Sequence, residues 1–163
     1  MKSSNAKIGL EIEKTAEQEY NSYGDEWEKA YFDKLSSGFV VVNKQRIIHS
    51  STSKNEKVKF DKEYAMCTVL AQNGYKIEIL MERPGFSSSD ITVNGTMAEL
   101  KKTSSHNNML NYAKKAIGKQ GAKIVVFEFD KMTGKIHEEL NKLKMIGIEV
   151  KYFTSKNRRI INR

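Results

Sequence analysis

The chain has 163 residues, 39% of them apolar, which is enough for one domain with a core of its own and too many for general disorder. It carries 28 Lys and Arg against 20 Asp and Glu, a net charge of +8. No run of about 18 apolar residues exists, so no membrane-spanning helix is expected, and residues 1–20 lack the apolar segment of a secretory signal. Cys67 is the only cysteine, which excludes an internal disulfide and a cysteine-rich zinc site.

The charge is unevenly distributed along the chain. Residues 1–35 contain five Lys and eight Asp or Glu, a net charge of −3, so residues 36–163 carry +11. The sequence therefore predicts an acidic helical N-terminal segment, 1–35, and a basic domain, 36–163. A basic domain of this kind suits a polyanion such as nucleic acid, although a Lys-rich solvated surface has the same composition.

The first half of the chain shows two helical patterns around a short strand. Apolar spacing predicts a helix over 8–35, with a candidate break at Gly24. FVVV (39–42) is a short apolar strand, with which 46–49 is predicted to pair, and the polar stretch 50–57 is predicted to be a loop.

The second half alternates between strands and helices. The clearest helix, 58–73, has one apolar stripe and ends at Gly74. The later predicted elements are a strand at 75–81, a loop at 82–89, a hairpin at 90–101, a helix at 107–120, a strand at 123–129, a helix at 136–145, a strand at 148–153 and a basic tail. This order predicts an α/β fold with a mixed central sheet flanked by helices.

The hairpin, DITVNGTMAELK, carries the strongest functional signal. Asn94-Gly95 is typical of a two-residue type I′ turn, which fixes the strand register and places Asp90 opposite Glu99. Lys101 lies two residues further on the same face. Opposed carboxylates destabilise a strand pair, so the pattern favours a cation between them.

A divalent metal is the cation that fits this pattern. Carboxylate oxygens suit Mg²⁺, with Mn²⁺ or Zn²⁺ as alternatives, and Lys101 could hold the attacking water or stabilise the charge on a phosphate. The hairpin therefore predicts hydrolysis of a phosphodiester. The alternative is a surface strand with a Glu–Lys pair and an unrelated Asp.

Ser89-Asp90, the hairpin and Glu99-Leu100-Lys101 resemble the signature of the PD-(D/E)xK nuclease superfamily, with Ser89 in place of the usual proline. The resemblance implies a restriction-endonuclease-like core built from 58–129. It also implies a further carboxylate from the first core helix, for which Glu63 is the candidate. The implied catalytic residues are Glu63, Asp90, Glu99 and Lys101, and the implied metal ligands are the three carboxylates.

More narrowly, residues 38–129 resemble the C-terminal tRNase domains of contact-dependent growth inhibition toxins. GFVVV, the segment FDKEYAMCTVLAQNGYKIEIL and the helix ending KKAIGKQGAKIVVFEF carry this resemblance. It implies metal-dependent cleavage of tRNA in the cytoplasm of a target bacterium, as part of an exported toxin, and a cognate immunity protein as partner. A cytoplasmic protein is the alternative location. No membrane partner and no small-molecule cofactor are expected.

Several other residues are candidates for a supporting role. The candidates for auxiliary chemistry are His49, Thr103, His106 and Gln120, the last mainly through the family resemblance. A helix cap is the alternative role for the segment at 103–106. The candidates for binding nucleic-acid phosphates are Lys102, Lys114, Lys119, Lys156, Arg158 and Arg159.

Three other functions stay open from the sequence. The same residues would serve a DNA endonuclease of a mobile element or restriction system. A non-catalytic module that binds nucleic acid or protein would not need them to converge. A metal-free ribonuclease would use histidine as acid and base instead.

Overall fold

A computed structural model of the chain describes residues 14–81 and 89–163. The start of the helix predicted over 8–35 and most of the loop predicted over 82–89 lie outside these residues. Within them, none of the helices is long and apolar enough to cross a membrane.

The described residues form one sheet of eight strands whose spatial order is also their order in the chain. The strands are β1 (Trp27–Phe32), β2 (Phe39–Asn43), β3 (Lys76–Ile79), β4 (Ile91–Val93), β5 (Thr96–Thr103), β6 (Ile124–Phe129), β7 (Glu149–Thr154) and β8 (Ile161–Asn162). The pairs β2–β3, β5–β6 and β6–β7 are parallel, and the others are antiparallel. The sheet is therefore mixed, as predicted.

Five helices lie within the described ranges, and they cover both faces of the sheet. They are α1 (Ala16–Asn21), α2 (Lys44–Ser50), α3 (Lys54–Gln72), α4 (Met109–Gln120) and α5 (Gly134–Met145). Helix α3 packs on one face, where Cys67 and Leu70 contact the side of the sheet that carries Ile77. Helices α4 and α5 pack on the other face, around Phe127 and Leu140. The predicted α/β class with flanking helices is confirmed.

The helix predicted over 8–35 is wrong in its second half. Helix α1 ends at Asn21, and Trp27–Phe32 forms strand β1, which pairs antiparallel with β2. Contacts between aromatic rings of the helix and of the two strands explain why the chain turns back here. The Tyr20 ring of α1 lies 5.4 Å from that of Phe32 and 5.5 Å from that of Phe39, so the short helix folds back on the strands. The sheet thus extends into the acidic N-terminal segment.

The strand predicted at 46–49 is also wrong, because Lys44–Ser50 forms helix α2. Strand β2 already has β1 on one side and β3 on the other, so it has no free edge for another partner. The Asn43 side chain starts the helix by accepting a hydrogen bond from the Gln45 N–H at 2.9 Å.

The loop predicted over 50–57 is confirmed only at 51–53, since helix α2 includes Ser50 and helix α3 begins at Lys54. The Ser53 hydroxyl caps the helix by accepting a hydrogen bond from the Glu56 N–H at 3.1 Å. This S-x-x-E spacing is a helix-start signal that the polar composition of the stretch concealed. At the other end, Gly74 follows the helix with a φ of +91°, and the predicted stop is confirmed.

The basic tail is partly ordered as strand β8 on the outer edge of β7. The Lys151 ammonium donates to the Asn162 Oδ1 at 2.7 Å, and the Asn73 amide holds the backbone of Arg158 and Ile160. Residues 158–160 of the tail therefore lie beside the C-terminal end of α3.

Gly38 packs directly on α3, and we expect it to tolerate no side chain. A Cβ at this position would lie 1.8 Å from the Ala71 carbonyl oxygen. Replacing Gly38 by Ala should lower the free energy of unfolding by about 3 kcal/mol, since backbone must move. Gly118→Ala, where no atom lies within 4 Å of the new Cβ, should raise it by about 0.5–1 kcal/mol. Urea denaturation measures both, and similar stabilities for the two variants would contradict this packing.

Candidate active site

The β4–β5 hairpin has the register that its turn predicts. Ile91 lies opposite Ala98, and Asn94 and Gly95 have φ angles of 49° and 83°, both positive as a type I′ turn requires. Asp90 directly precedes β4 and therefore lies one position beyond the paired residues.

Asp90 and Glu99 lie at the same end of this hairpin. The Asp90 Oδ2 accepts a hydrogen bond from the Leu100 N–H at 3.4 Å, which ties the carboxylate to the strand that carries Glu99. Asp90 is half-buried, and Glu99 is only 3% exposed. A buried carboxylate loses its hydration and needs hydrogen bonds or a cation in compensation.

Ser89, the residue directly before Asp90, helps to fix the position of Asp90. Its side chain is buried, and its hydroxyl donates to the Gln120 carbonyl oxygen at 3.0 Å. This hydrogen bond connects the residue before Asp90 to the last turn of α4.

Asp90 and Glu99 open into a cleft of about 710 Å³ between α3, β5 and α4. Residues predicted as catalytic from the sequence line this one cleft: Glu63, Asp90, Glu99 and Lys101. Thr103 and Gln120 line it too. Glu63 is thus brought together with the residues of the hairpin by the packing of α3 against it.

Glu63 reaches the cleft from α3 as half of a buried ion pair. Its Oε2 lies 3.1 Å from the Arg46 Nη2, and the two side chains are only 12% and 7% exposed. Burial, and after it the negative charge of Asp90, raise the pKa of Glu63 from 4.5 to about 6, although Arg46 opposes both effects.

Arg46 is one of the residues of the site that the sequence does not reveal. It lies on α2, a helix predicted as a strand, and its guanidinium lies 5.0 Å from the centroid of the Phe60 ring. Its position beside Glu63 means that the carboxylate proposed as a third metal ligand already has a cationic partner.

Tyr112 of α4 forms the opposite wall of the cleft. Its hydroxyl donates to the Leu100 carbonyl oxygen at 2.8 Å. Burial is the main cause of its raised pKa, and the charges of Glu99, Asp90 and Glu63 raise it further, in that order. The phenol is therefore surrounded by the three carboxylates. The sequence indicates only a core position here, because the apolar stripe of α4 does not show that one member faces a cleft.

Lysine side chains surround the carboxylates at the cleft rim. Lys59, Lys62, Lys101 and Lys102 all line the cleft and are exposed. The Lys101 ammonium lies 5.1 Å from the centroid of the Tyr112 ring, and Lys102 pairs with the Glu128 Oε2 at 3.2 Å. Lys59 and Lys62 were not predicted, although Lys59, four residues before Glu63, lies on the same face of α3.

The remaining predicted residues lie outside the cleft lining. His49 is on α2, where its Nε2 lies 3.1 Å from the Glu56 Oε2, and His106 lies in the turn before α4. The other predicted phosphate-binding residues are exposed: Lys114, Lys119, Lys156, Arg158 and Arg159. The tail residues lie beside Asn73, roughly 15 Å along α3 from Glu63 at 1.5 Å per residue.

The carboxylate side chains of the cleft offer oxygen ligands to a divalent metal. Among residues 14–81 and 89–163, no group of three or more His, Cys, Asp or Glu side chains is arranged to hold a metal by itself. Asp90 and Glu99 nevertheless supply two carboxylates at one position, and Mg²⁺ typically takes one or two from a protein while keeping several waters. The two carboxylates therefore fit Mg²⁺ better than they fit Zn²⁺, which prefers nitrogen and sulfur ligands.

Comparisons with known proteins gave a likeness in fold. No protein-family model and no curated protein sequence matches the chain. A solved "CdiA-CT/CdiI toxin and immunity complex from Burkholderia pseudomallei" contains a chain that is 16% identical, with a TM-score of 0.54. The match covers 69% of this chain and 89% of that one. At this identity it shows a shared fold.

The raised pKa of Glu63 predicts a pH-dependent contribution to stability. A carboxyl whose folded-state pKa lies above its unfolded value destabilises the fold once it ionises, so stability falls as pH rises from about 4.5 to 6. Over this range the wild type should lose about 2 kcal/mol of unfolding free energy relative to Glu63→Gln. Urea denaturation in EDTA across pH 4–7 measures this difference. A difference that stays constant over the range would contradict the assignment.

Proposed function

We propose that this chain is a toxin-type nuclease domain of the PD-(D/E)xK kind, which cleaves RNA by metal-dependent phosphodiester hydrolysis. The observation that carries the proposal is the meeting of Asp90, Glu99, Lys101 and Glu63 in one cleft. The first three are the residues that the hairpin pattern selects, and a purely structural role would not require them to face a common cavity.

The rim of the cleft supports a phosphate-bearing substrate. Lys59, Lys62 and Lys102 surround the carboxylates with exposed ammonium groups, and such groups contact phosphates in a sequence-independent manner. Their positive charge also offsets the repulsion between the buried carboxylates and a polyanion. A substrate phosphate is thereby drawn to the cleft that holds the carboxylates.

Asp90 and Glu99 are the residues that would hold the divalent ion. When bound, such an ion makes water a better nucleophile and neutralises phosphate charge. In the reaction, the water oxygen forms a bond to phosphorus, the bond to the leaving ribose oxygen breaks, and that oxygen takes up a proton. Lys101, which the ring of Tyr112 holds on the cleft side, stabilises the negative charge that develops on the phosphate.

Glu63 and Arg46 add a further carboxylate and its cationic partner to the site. Because Arg46 holds the Glu63 carboxylate in a buried pair, Glu63 stays next to Asp90 with its orientation fixed. Its role in the proposal is to accept a hydrogen bond from water in the cleft and to add negative charge near the metal-binding pair.

The toxin assignment is supported by the fold shared with the toxin and immunity complex. We infer that this chain acts as the toxic domain of an exported protein in the cytoplasm of a target cell, where tRNA is its substrate. Its partner would be a cognate immunity protein. For a chain of net charge +8, that protein should carry an acidic contact surface.

Substitution of the metal-binding pair tests the proposed activity. Asp90→Asn and Glu99→Gln should each lower the cleavage rate of total tRNA by at least about 100-fold, as should EDTA, because charge stabilisation at phosphorus is lost. Glu78→Gln, a strand carboxylate that pairs with Tyr23 and Thr92 instead, is the matched control and should remain active. Gel analysis of tRNA and plasmid substrates measures this. Plasmid cleavage alone would indicate a DNA endonuclease, and full activity in EDTA would contradict the metal.

The position of the lysines predicts which cations matter most. Lys59→Ala/Lys62→Ala removes two charges at the cleft rim, whereas Arg158→Ala/Arg159→Ala removes two from the tail. The first double variant should lower kcat/KM for RNA by about tenfold or more, and the second should have a smaller effect, because only the first contacts phosphates beside the carboxylates. The two double variants are compared by measuring kcat/KM for RNA cleavage at 50 and 200 mM salt. Equal losses would contradict the placement of the substrate.

A further inference from the structure

A second cavity of about 220 Å³ adjoins the cleft. The two cavities share Lys101, Thr103 and Tyr112, so a ligand in one is in direct reach of the other. The floor of the second cavity consists of Met109 and Phe127, both almost fully buried, beside Tyr112.

The size and walls of this cavity restrict what it can hold. Its volume leaves room for one flat ring system and is far too small for a duplex. Lys101 and Lys115 line its sides, but the apolar floor gives a phosphate no opposite charge and favours a flat ring instead. An aromatic ring with polar edges fits both conditions.

The rim supplies groups that recognise such edges. It carries the side chains of Asn107, Asn108, Asn111 and Lys115. A side-chain amide offers a donor and an acceptor together, which is the pattern that pairs with nucleobase edges. The Asn108 amide makes no capping hydrogen bond to α4, although the residue stands at the start of that helix with a φ of 65°. Its amide is therefore not needed to cap α4.

We propose that this cavity binds one unpaired nucleobase of an RNA whose scissile phosphate lies in the cleft. The inference rests on the proposed function and makes it more specific. A base inside a helix is stacked and paired, so the enzyme would cut at loops or single-stranded segments, where a base can turn outward. Base stacking on the floor and amide contacts at the rim would fix the position of the adjacent phosphate.

The test uses oligoribonucleotides in which single bases are removed. After the cut position in tRNA is mapped, an abasic residue is placed in turn at each of three positions on either side. For the wild type, one position should lower kcat/KM at least about tenfold, equivalent to about 1.4 kcal/mol. Asn111→Trp, which fills the entrance, should lose a similar factor on the intact RNA and show no further loss with the abasic one.

Two further variants keep the test informative. Asn111→Ala removes one rim amide with little risk to folding and should reduce the preference among bases at the sensitive position. Asn141→Trp, on the exposed face of α5, is the control and should behave as the wild type. A thermal melt of each variant checks folding.

The outcomes distinguish failure of the nucleobase pocket from failure of the proposed nuclease function. An abasic penalty that is equal in the wild type and both Asn111 variants, or the absence of any sensitive position, overturns the nucleobase pocket while leaving the nuclease in place. Failure of the wild type to cut any RNA overturns the proposed function and the pocket with it.

Discussion

The site depends on one constraint, the two-residue turn at Asn94-Gly95. Because both residues adopt positive φ angles, the turn permits only one register, and this register sets Asp90 beside Glu99 at the far end of the hairpin. A slip of one residue in either strand would turn its carboxylate to the opposite face of the sheet and separate the pair. The Ser89 hydrogen bond to the end of α4 secures the same arrangement from outside the hairpin.

The charges around this pair are balanced across three elements. Helix α2 contributes Arg46, helix α3 contributes Glu63 with Lys59 and Lys62, and strand β5 contributes Lys101. Glu63 thus has Arg46 beside it, and these three lysines line the same cleft as the carboxylates. Such an arrangement leaves a small acidic centre inside a basic rim, which is the charge pattern that suits a cation and a phosphate together.

The sequence predicts the parts of the site that local rules determine. The turn type, the hairpin register and the spacing of Glu99 and Lys101 follow from neighbouring residues, and Glu63 follows from helical periodicity with a family resemblance. Arg46 and Tyr112 could not be predicted, because each reaches the cleft only through tertiary packing. The same distinction applies to the fold. The long helix α3 is predicted by its apolar stripe. Strand β1 forms because β2 offers it an edge, and no pattern within Trp27–Phe32 reveals this.

The claim on which the account depends is that Asp90 and Glu99 jointly bind a divalent ion. A crystal soaked in Mn²⁺ tests this directly, since the metal gives an anomalous peak. We expect one peak in the cleft, about 2.1 Å from a carboxylate oxygen of each residue, and no such peak in Asp90→Asn. An anomalous map with no peak between the two carboxylates at saturating Mn²⁺ would contradict the account.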